Sequence, residues 1–473
     1  MKNRFLYICI FLSCLFLIYS TASAQSEFKT LNSEQVLQLV KLYHPIARQA
    51  QIGVEKAQAD IVIARGAFDP IINSYLSRKS FDGKDYYTYS NLEIKIPAWY
   101  GIEVYSGIES LSGARVDNSS TLGQTNFLGI SIPLAKNLVL DKRRAYLQQA
   151  RIFKTLAKVE QRSTINDLLM GSMEAYWQWV RAYQTYLVMK NNVEVNQKRL
   201  ELVKKSFDNG ERPAIDTTEA STQLMSFQYQ QNAYWLEFQN AGLQLSAYLW
   251  KSNDEPYNLP ESIIPQDGWE IETNILQFNL ELTNLLNTAI TMHPELQVYE
   301  NKLDILTIEK RLKFQELLPK IDFRYNLLGK GYNVFRTPVE SQLFENNFQY
   351  GLKLEVPLLF SNGRGQYRQA KLKIEETRLD QNQKLLSVQL KVRSYYNEFV
   401  NLQNQIALQS RNYESYLQLV RAEQSRFENG ESSLFMINSR ENKALEAYEK
   451  LIELKTKYFK TIYSLQWSAG LLI

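Results

Sequence analysis

The chain has 473 residues, 45% of them hydrophobic and 22% charged, with a net charge of +4. That length favours two or more structural units. The composition argues against both a disordered chain and a bundle of membrane helices, and the lack of any block of like charge argues against nucleic acid as a partner.

Residues 1–24 read as a secretory signal peptide. Lys2 and Arg4 form its positive start, residues 5–18 its apolar stretch, and Ala22-Ser23-Ala24 the small-residue cleavage site before Gln25. A membrane-anchoring helix is disfavoured, because the apolar run is short and a cleavage site follows it. Cys9 and Cys14, the two cysteines of the sequence, both fall in this segment, so no disulfide is expected after cleavage. Beyond it no stretch reaches the ~18 apolar residues of a transmembrane helix. An exported chain of this kind is either water-soluble or set in an outer membrane as strands.

The rest divides into a first repeat over 25–250, an irregular connector over 251–280 and a second repeat over 281–473. Matches in step support this division. His44-Pro45 and Pro70 recur at one fixed offset as His293-Pro294 and Pro319. Gln149-Ala150, Tyr176 and Phe207-Asp208-Asn209-Gly210-Glu211 recur at a second offset as Gln369-Ala370, Tyr396 and Phe427-Glu428-Asn429-Gly430-Glu431. So many matches in order indicate internal duplication. Pro256, Pro260 and Pro265 break up the connector.

Each repeat reads as helix, strands, very long helix, shorter helix. In the first, the strands occupy about 71–133, the long helix about 141–207 and the shorter helix about 214–250; no proline occurs between Leu134 and Arg212. A helix of that extent runs about 100 Å at 1.5 Å per residue. In the second, the strands occupy about 320–357, the long helix about 364–427 and the shorter helix about 434–471. Leu385, Val388, Val392, Tyr395, Phe399 and Leu402 begin a stripe of three- and four-residue steps that continues to Val420. Such a seven-residue period calls for left-handed supercoiling against a partner helix. Gly210 and Gly430 supply the positive φ that ends each long helix.

In the strand regions Ile321, Phe323, Tyr325 and Leu327 alternate with Lys320, Asp322, Arg324 and Asn326, and residues 348–356 alternate in the same way. Segments of this length, apolar on one side and polar on the other, suit a tilted strand crossing a bilayer. The first repeat carries an additional hairpin, 87–96 and 102–110 joined by Pro97-Ala98-Trp99-Tyr100-Gly101. It either widens a barrel or lies in an external loop. Two to four strands cannot close a barrel around a channel, so open edges must be paired by other copies.

With these features in duplicate and in this order, the chain resembles the TolC-like outer membrane efflux protein family over essentially all its length past the signal. The shared marks are the repeated layout, the prolines Pro45 and Pro294 before the first strands, Pro133 and Pro357 after the last, and the Phe-x-x-Gly turns Phe207/Gly210 and Phe427/Gly430. The resemblance implies an α+β membrane protein with internal duplication. Its long coiled-coil helices would form a periplasmic α-barrel, and its strands would join a shared trimeric outer-membrane β-barrel. It implies a homotrimer in outer-membrane lipid that works with a periplasmic adaptor (membrane fusion) protein and an inner-membrane pump. Such a duct exports small molecules or proteins in a tripartite efflux or type I secretion system. On this resemblance, the periplasmic tip that contacts the adaptor comprises Phe207, Asn209, Gly210, Phe427, Asn429 and Gly430. Acidic residues six and nine positions after the turn glycines would narrow the aperture. Asp216 and Glu219 stand there in the first repeat, but Met436 and Ser439 in the second, so only one acidic ring is expected. The other reading of Asp216 is a helix N-cap beside Pro213.

No other chemistry is expected. His44 and His293, the two histidines, both precede proline at equivalent places and read as helix-junction residues, with no set for a metal or a triad. Asn362-Gly363-Arg364-Gly365 lacks the Lys-Ser/Thr of a phosphate loop and reads as the turn out of the strands. No enzyme activity and no cofactor are expected. The competing function is a periplasmic structural coiled coil without channel activity, which accounts for the helices but not for the two-faced strands.

Overall fold

The computed structural model describes residues 30–114, 121–268, 281–331 and 346–472. The signal peptide expected over 1–24 and residues 269–280 of the connector lie outside them. β1 (Thr30–Leu31), α1 (Ser33–Tyr43) and α2 (Pro45–Gly66) precede four strands: β2 (Ile71–Phe81), β3 (Lys84–Pro97), β4 (Glu103–Ser112) and β5 (Gly123–Pro133). Then come α3 (Lys142–Asp208), α4 (Ala214–Ser246) and β6 (Ile264–Pro265). The order resumes as α5 (Leu282–Met292), α6 (Pro294–Phe314), β7 (Lys320–Lys330), β8 (Phe348–Glu355), α7 (Ser361–Glu428) and α8 (Leu434–Ser468). Among the described residues no helix is long and apolar enough to cross a membrane.

The two longest helices, α3 with 67 residues and α7 with 68, belong in part to each of two compact units. On α7 every residue of the stripe from Leu385 to Val420 is buried or half-buried. The start of α3 is fixed by Asp141. Its Oδ1 accepts the Arg144 backbone N–H at 3.0 Å and the Arg144 Nε–H at 2.9 Å, while the guanidinium donates to the carbonyls of Asn137 and Val139. Burial pushes the Asp141 carboxyl up, but these bonds and the charges of Arg144 and Arg143 outweigh it and hold the pKa below its ordinary value.

The first unit comprises Met1–Val40, Ser172–Gln277 and Leu402–Lys460. Here β1 pairs parallel with β6. Asn32 and Gln35 exchange side-chain and backbone bonds as a capping box ahead of α1. The core is aromatic: Trp177 stacks on Phe459 at 4.9 Å and Trp179 on Phe238 at 6.0 Å, with the fully buried Tyr176 against both tryptophans. A further cluster joins Val203, Ala220 and Leu434, with Phe427 packed against it.

The second unit comprises Lys41–Gly171, Phe278–Asn401 and Thr461–Ile473. It holds a six-stranded antiparallel sheet in the order β2-β3-β4-β5-β7-β8. The additional hairpin of the first repeat is therefore an integral part of this sheet, as β3 and β4. Its turn is wedged in place: Tyr100 and Gly101 both take positive φ, and a Cβ on Gly101 would meet Pro133 Cγ at 2.8 Å. Ile61 and Ala64 of α2 pack on Leu147 and Ala150 of α3, and Ile308 of α6 packs on Leu140 and Ala145. The two histidines cap helices: His44 Nδ1 accepts the Ile46 N–H at 3.1 Å, and His293 Nδ1 accepts the Glu295 N–H at 3.2 Å. Each is followed by the proline at the first helical position, where a missing N–H costs nothing.

One expected turn is corrected. Asn362-Gly363-Arg364-Gly365 is not the exit from the strands but the opening turn of α7. Gly363 is there for close approach, since a Cβ would stand 2.4 Å from the Glu316 carbonyl oxygen. The bend lies earlier, where Phe360 takes φ +49°.

Candidate functional site

In the first unit, the helix ends at 207–213 and 427–433 close in the same way. Gly210 N–H bonds to Phe207 O at 2.9 Å and Glu211 N–H to Ser206 O at 2.8 Å; Gly430 and Glu431 repeat the pair on Phe427 and Arg426. Both glycines hold φ +76°. This paired bonding satisfies the last carbonyls of a helix and requires a residue without a Cβ penalty.

The turns differ in what secures them. Arg212 reaches from the first turn to the second: its guanidinium lies 3.5 Å from the Phe427 ring centre, donates to Phe427 O at 3.2 Å and pairs with Asp216 at 3.4 Å. The second turn is held by Glu423, which is buried, accepts from the Ser432 hydroxyl and lies 3.6 Å from Arg426. Arg199 of α3 pairs with Glu441 of α8. Sequence reasoning missed Arg212, Glu423 and Asn438, because their partners lie in the other repeat or face inward with no periodic signature.

Of the acidic pair, Asp216 is not a helix cap. Pro213 occupies that position, and Asp216 sits in the first turn, mostly covered, beside Arg212. Glu219, one turn on, accepts from Asn438 Nδ2 at 3.2 Å. Met436 is half-buried and Ser439 exposed. Asn209, Gly210, Asn429 and Gly430 are exposed, as is Phe207, whereas Phe427 is half-buried beneath Arg212. Around them Leu202, Ile215 and Phe435 are each more than 60% exposed. A groove of about 360 Å³ there is lined by Leu202, Val203, Phe427 and Ile437, with Lys198 and Arg199 also on its walls.

In the second unit the register sorts the sheet into two faces. Ile72 lies opposite Ile94, Leu92 opposite Ile108, Leu128 opposite Leu327, and Phe323 opposite Leu352. On the other face Asn73 lies opposite Glu93, Ser131 opposite Arg324, and Asp322 opposite Lys353. Tyr105 on that polar face donates to Asn326 and lies under Arg324, with 5.4 Å from the guanidinium to the ring centre. A charged cavity of about 530 Å³ borders it, where Glu103 pairs with Lys95 at 2.6 Å and Arg143 at 3.3 Å, and Lys136 pairs with Glu316 at 2.6 Å. Among the described residues no group of three or more His, Cys, Asp or Glu side chains is placed to hold a metal ion.

A sheet with one apolar and one polar face, joined to helices of nearly seventy residues, defines a class of outer-membrane channel subunits. The profile of the outer membrane efflux protein family matches residues 36–249 and 285–470, and the chain belongs to that family. Its members are passive channels rather than enzymes, and membership sets this chain in the Gram-negative outer membrane, with a periplasmic extension, in an efflux role. No curated protein sequence matches it. Among solved structures, the chain is similar to the CmeC outer membrane channel of Campylobacter jejuni (14% identity, 93% of this chain and 85% of that one, TM-score 0.63). It is similar to VceC of Vibrio cholerae (13%, 93% and 96%, TM-score 0.64). The open state of the MtrE outer membrane channel of Neisseria gonorrhoeae also matches (12%, 93% and 88%, TM-score 0.65). At such identities the likeness is one of fold.

Proposed function

We propose that the chain is one of three identical subunits of a passive export duct, with its strands in a shared β-barrel and its helices in a shared periplasmic α-barrel. The observation that carries this reading is the six-stranded sheet with lipid-compatible and water-compatible faces and two unpaired edges. In hydrocarbon an open edge leaves backbone groups unbonded at several kcal/mol each, so such a sheet must be closed by further strands. The helices favour the same assembly. Ile215, Tyr229, Leu236 and Leu243 of α4 recur at multiples of seven residues and are all more than half exposed, a stripe that awaits a helix of another copy. The near-identical closures at Gly210 and Gly430, and the matching caps at His44 and His293, support an internal duplication.

The hairpin ends are the docking surface for a periplasmic adaptor protein that links the duct to an inner-membrane pump, in a tripartite efflux or type I secretion system. The exposed apolar side chains and the groove beside Phe427 favour a protein partner there. Asp216 and Glu219 border the aperture, tied by Arg212 and Asn438. Purified in mild detergent, the protein is expected to scatter light as a trimer, and in planar bilayers to conduct ions. A stable non-conducting monomer that fractionates with soluble periplasmic protein would instead favour the structural coiled coil.

A further inference from the structure

We infer that the β3–β4 hairpin is part of the barrel wall, and that β2 of one copy pairs with β8 of a second copy, so that three copies close a wall of eighteen strands. The number of copies rests on the trimer proposed above; the edge pairing and the six strands per copy do not.

Four observations lead here. First, β3 and β4 are interior strands: β3 is bonded along its length to β2 and β4, and β4 to β3 and β5. Removing them would leave β2 with no neighbour in the sheet. Second, the same alternation of faces continues across all six strands, with Ile72, Ile94, Ile108, Leu128, Leu327 and Leu352 on one side and Ser106 and Asn126 as polar interruptions in the middle. A hairpin lying in an external loop has no reason to keep that alternation. Third, both outer strands are bare. Every residue of β8 and all but one of β2 are exposed, with Leu76 at 76% and Tyr350 at 68%. Among the described residues neither edge is shielded by a proline within the strand or by a covering helix, the usual protections against strand addition.

Fourth, the two edges suit each other. The sheet is antiparallel throughout, and with six strands its outer two run in opposite directions. A further copy laid alongside therefore continues the antiparallel order without interruption. The period of two then limits the register. Even-numbered residues of β2 such as Ile72 share the apolar face with even-numbered residues of β8 such as Leu352 and Leu354, so only registers that match even to even keep the faces intact. A strand from an unrelated protein would need the same length, direction and alternation, which β8 already has. Barrel diameter grows about linearly with strand number, and walls of about 16–18 strands leave an aqueous channel. The membrane section of this duct is then wide, and its constriction belongs to the helices.

Cysteine crosslinking tests the edge pairing, since the described residues contain no cysteine. Ile72→Cys is combined with a cysteine at each position of Phe348–Glu355 in turn, in the full chain in outer membranes. After oxidation, bands of two and three subunits are expected, with yields alternating along β8 and highest at even-numbered positions. Crosslinks confined to one chain, no crosslink at any position, or no alternation would overturn the pairing. Labelling of single variants tests the hairpin. Glu93→Cys should react with a membrane-impermeant maleimide and Leu92→Cys only with a lipid-soluble one; equal reaction of both with the impermeant reagent would put the hairpin outside the wall. Conductance measured on the same proteins keeps the tests apart: an open channel with failed pairing sinks the eighteen-stranded wall alone, and absent conductance sinks the duct.

Discussion

At the scale of single residues, His293 couples acid to stability. Its Nδ1 must keep a lone pair to accept the Glu295 N–H, so a proton on that nitrogen and the cap exclude each other. Burial lowers its pKa from the ordinary histidine value; Glu295 and Asp167 work the other way, while Lys391 and Lys384 add to the lowering. The unfolded chain therefore takes up the proton first. Stability from this residue is intact above about pH 6.5 and is lost as pH falls through the lower folded value. Asparagine caps as well as any residue and does not titrate, so His293→Asn should leave stability at neutral pH within about 1 kcal/mol and flatten the acid limb. Thermal melts in detergent from about pH 8 to pH 5 measure this; parallel profiles for both proteins would rule the histidine out. Arg212 offers a second case. It is the side chain that joins the two turns, through the Phe427 ring and carbonyl, and a guanidinium on an aromatic face contributes about 1–2 kcal/mol when partly desolvated. Arg212→Ala should free the first hairpin from the second and raise the resting conductance of the channel. Unchanged resting conductance would mean that this contact does not hold the closed state.

At the scale of elements, the turn glycines act by conformation alone. A Cβ on Gly430 meets nothing within 4 Å, so the cost of Gly430→Val is that of a left-handed L-residue, about 1–2 kcal/mol. Export through the assembled machine should fall while membrane insertion and bilayer conductance persist; full export would argue that the tip does not dock. These turns, and the long helices before them, are legible in the sequence for clear reasons. Proline is absent over each helix, Asn-Gly marks each end, and the stripe on α7 keeps its period. Strand alternation is equally legible, but it reports faces and not neighbours, so the sequence left the place of β3 and β4 open. The pairing of β1 with β6 carries no signal, because two residues have no period. The start of α7 was hidden for the opposite reason: two glycines resemble a turn when one of them serves close packing against Glu316. At the tip, Asp216 and Arg212 stand four residues apart and their pairing is local, but the contact of Arg212 with Phe427 joins the two repeats and has no signature in the sequence.

At the scale of the whole molecule, the question is where an assembled duct closes. If the wall in the membrane is as wide as proposed, the constriction falls to the hairpin ends, and three copies there would bring together six carboxylates from Asp216 and Glu219. Like charges at close range attract cations, so added divalent ions should lower conductance. In this chain the attraction is blunted at its source. Each Asp216 already has Arg212 at 3.4 Å and each Glu219 is engaged by Asn438, so three cations accompany the six anions. Met436 and Ser439 supply no second ring. Divalent block in the native protein should accordingly be weak. Asp216→Asn with Glu219→Gln should abolish it, whereas Arg212→Ala, by uncovering the acids, should strengthen it even as it loosens the tip. Single-channel recording of the three proteins, with and without divalent cations, reads both effects at once. The opposed signs matter, because a general loosening of the hairpins would weaken block in both variants alike. A strong block that survives the double substitution would place the constriction on residues other than Asp216 and Glu219.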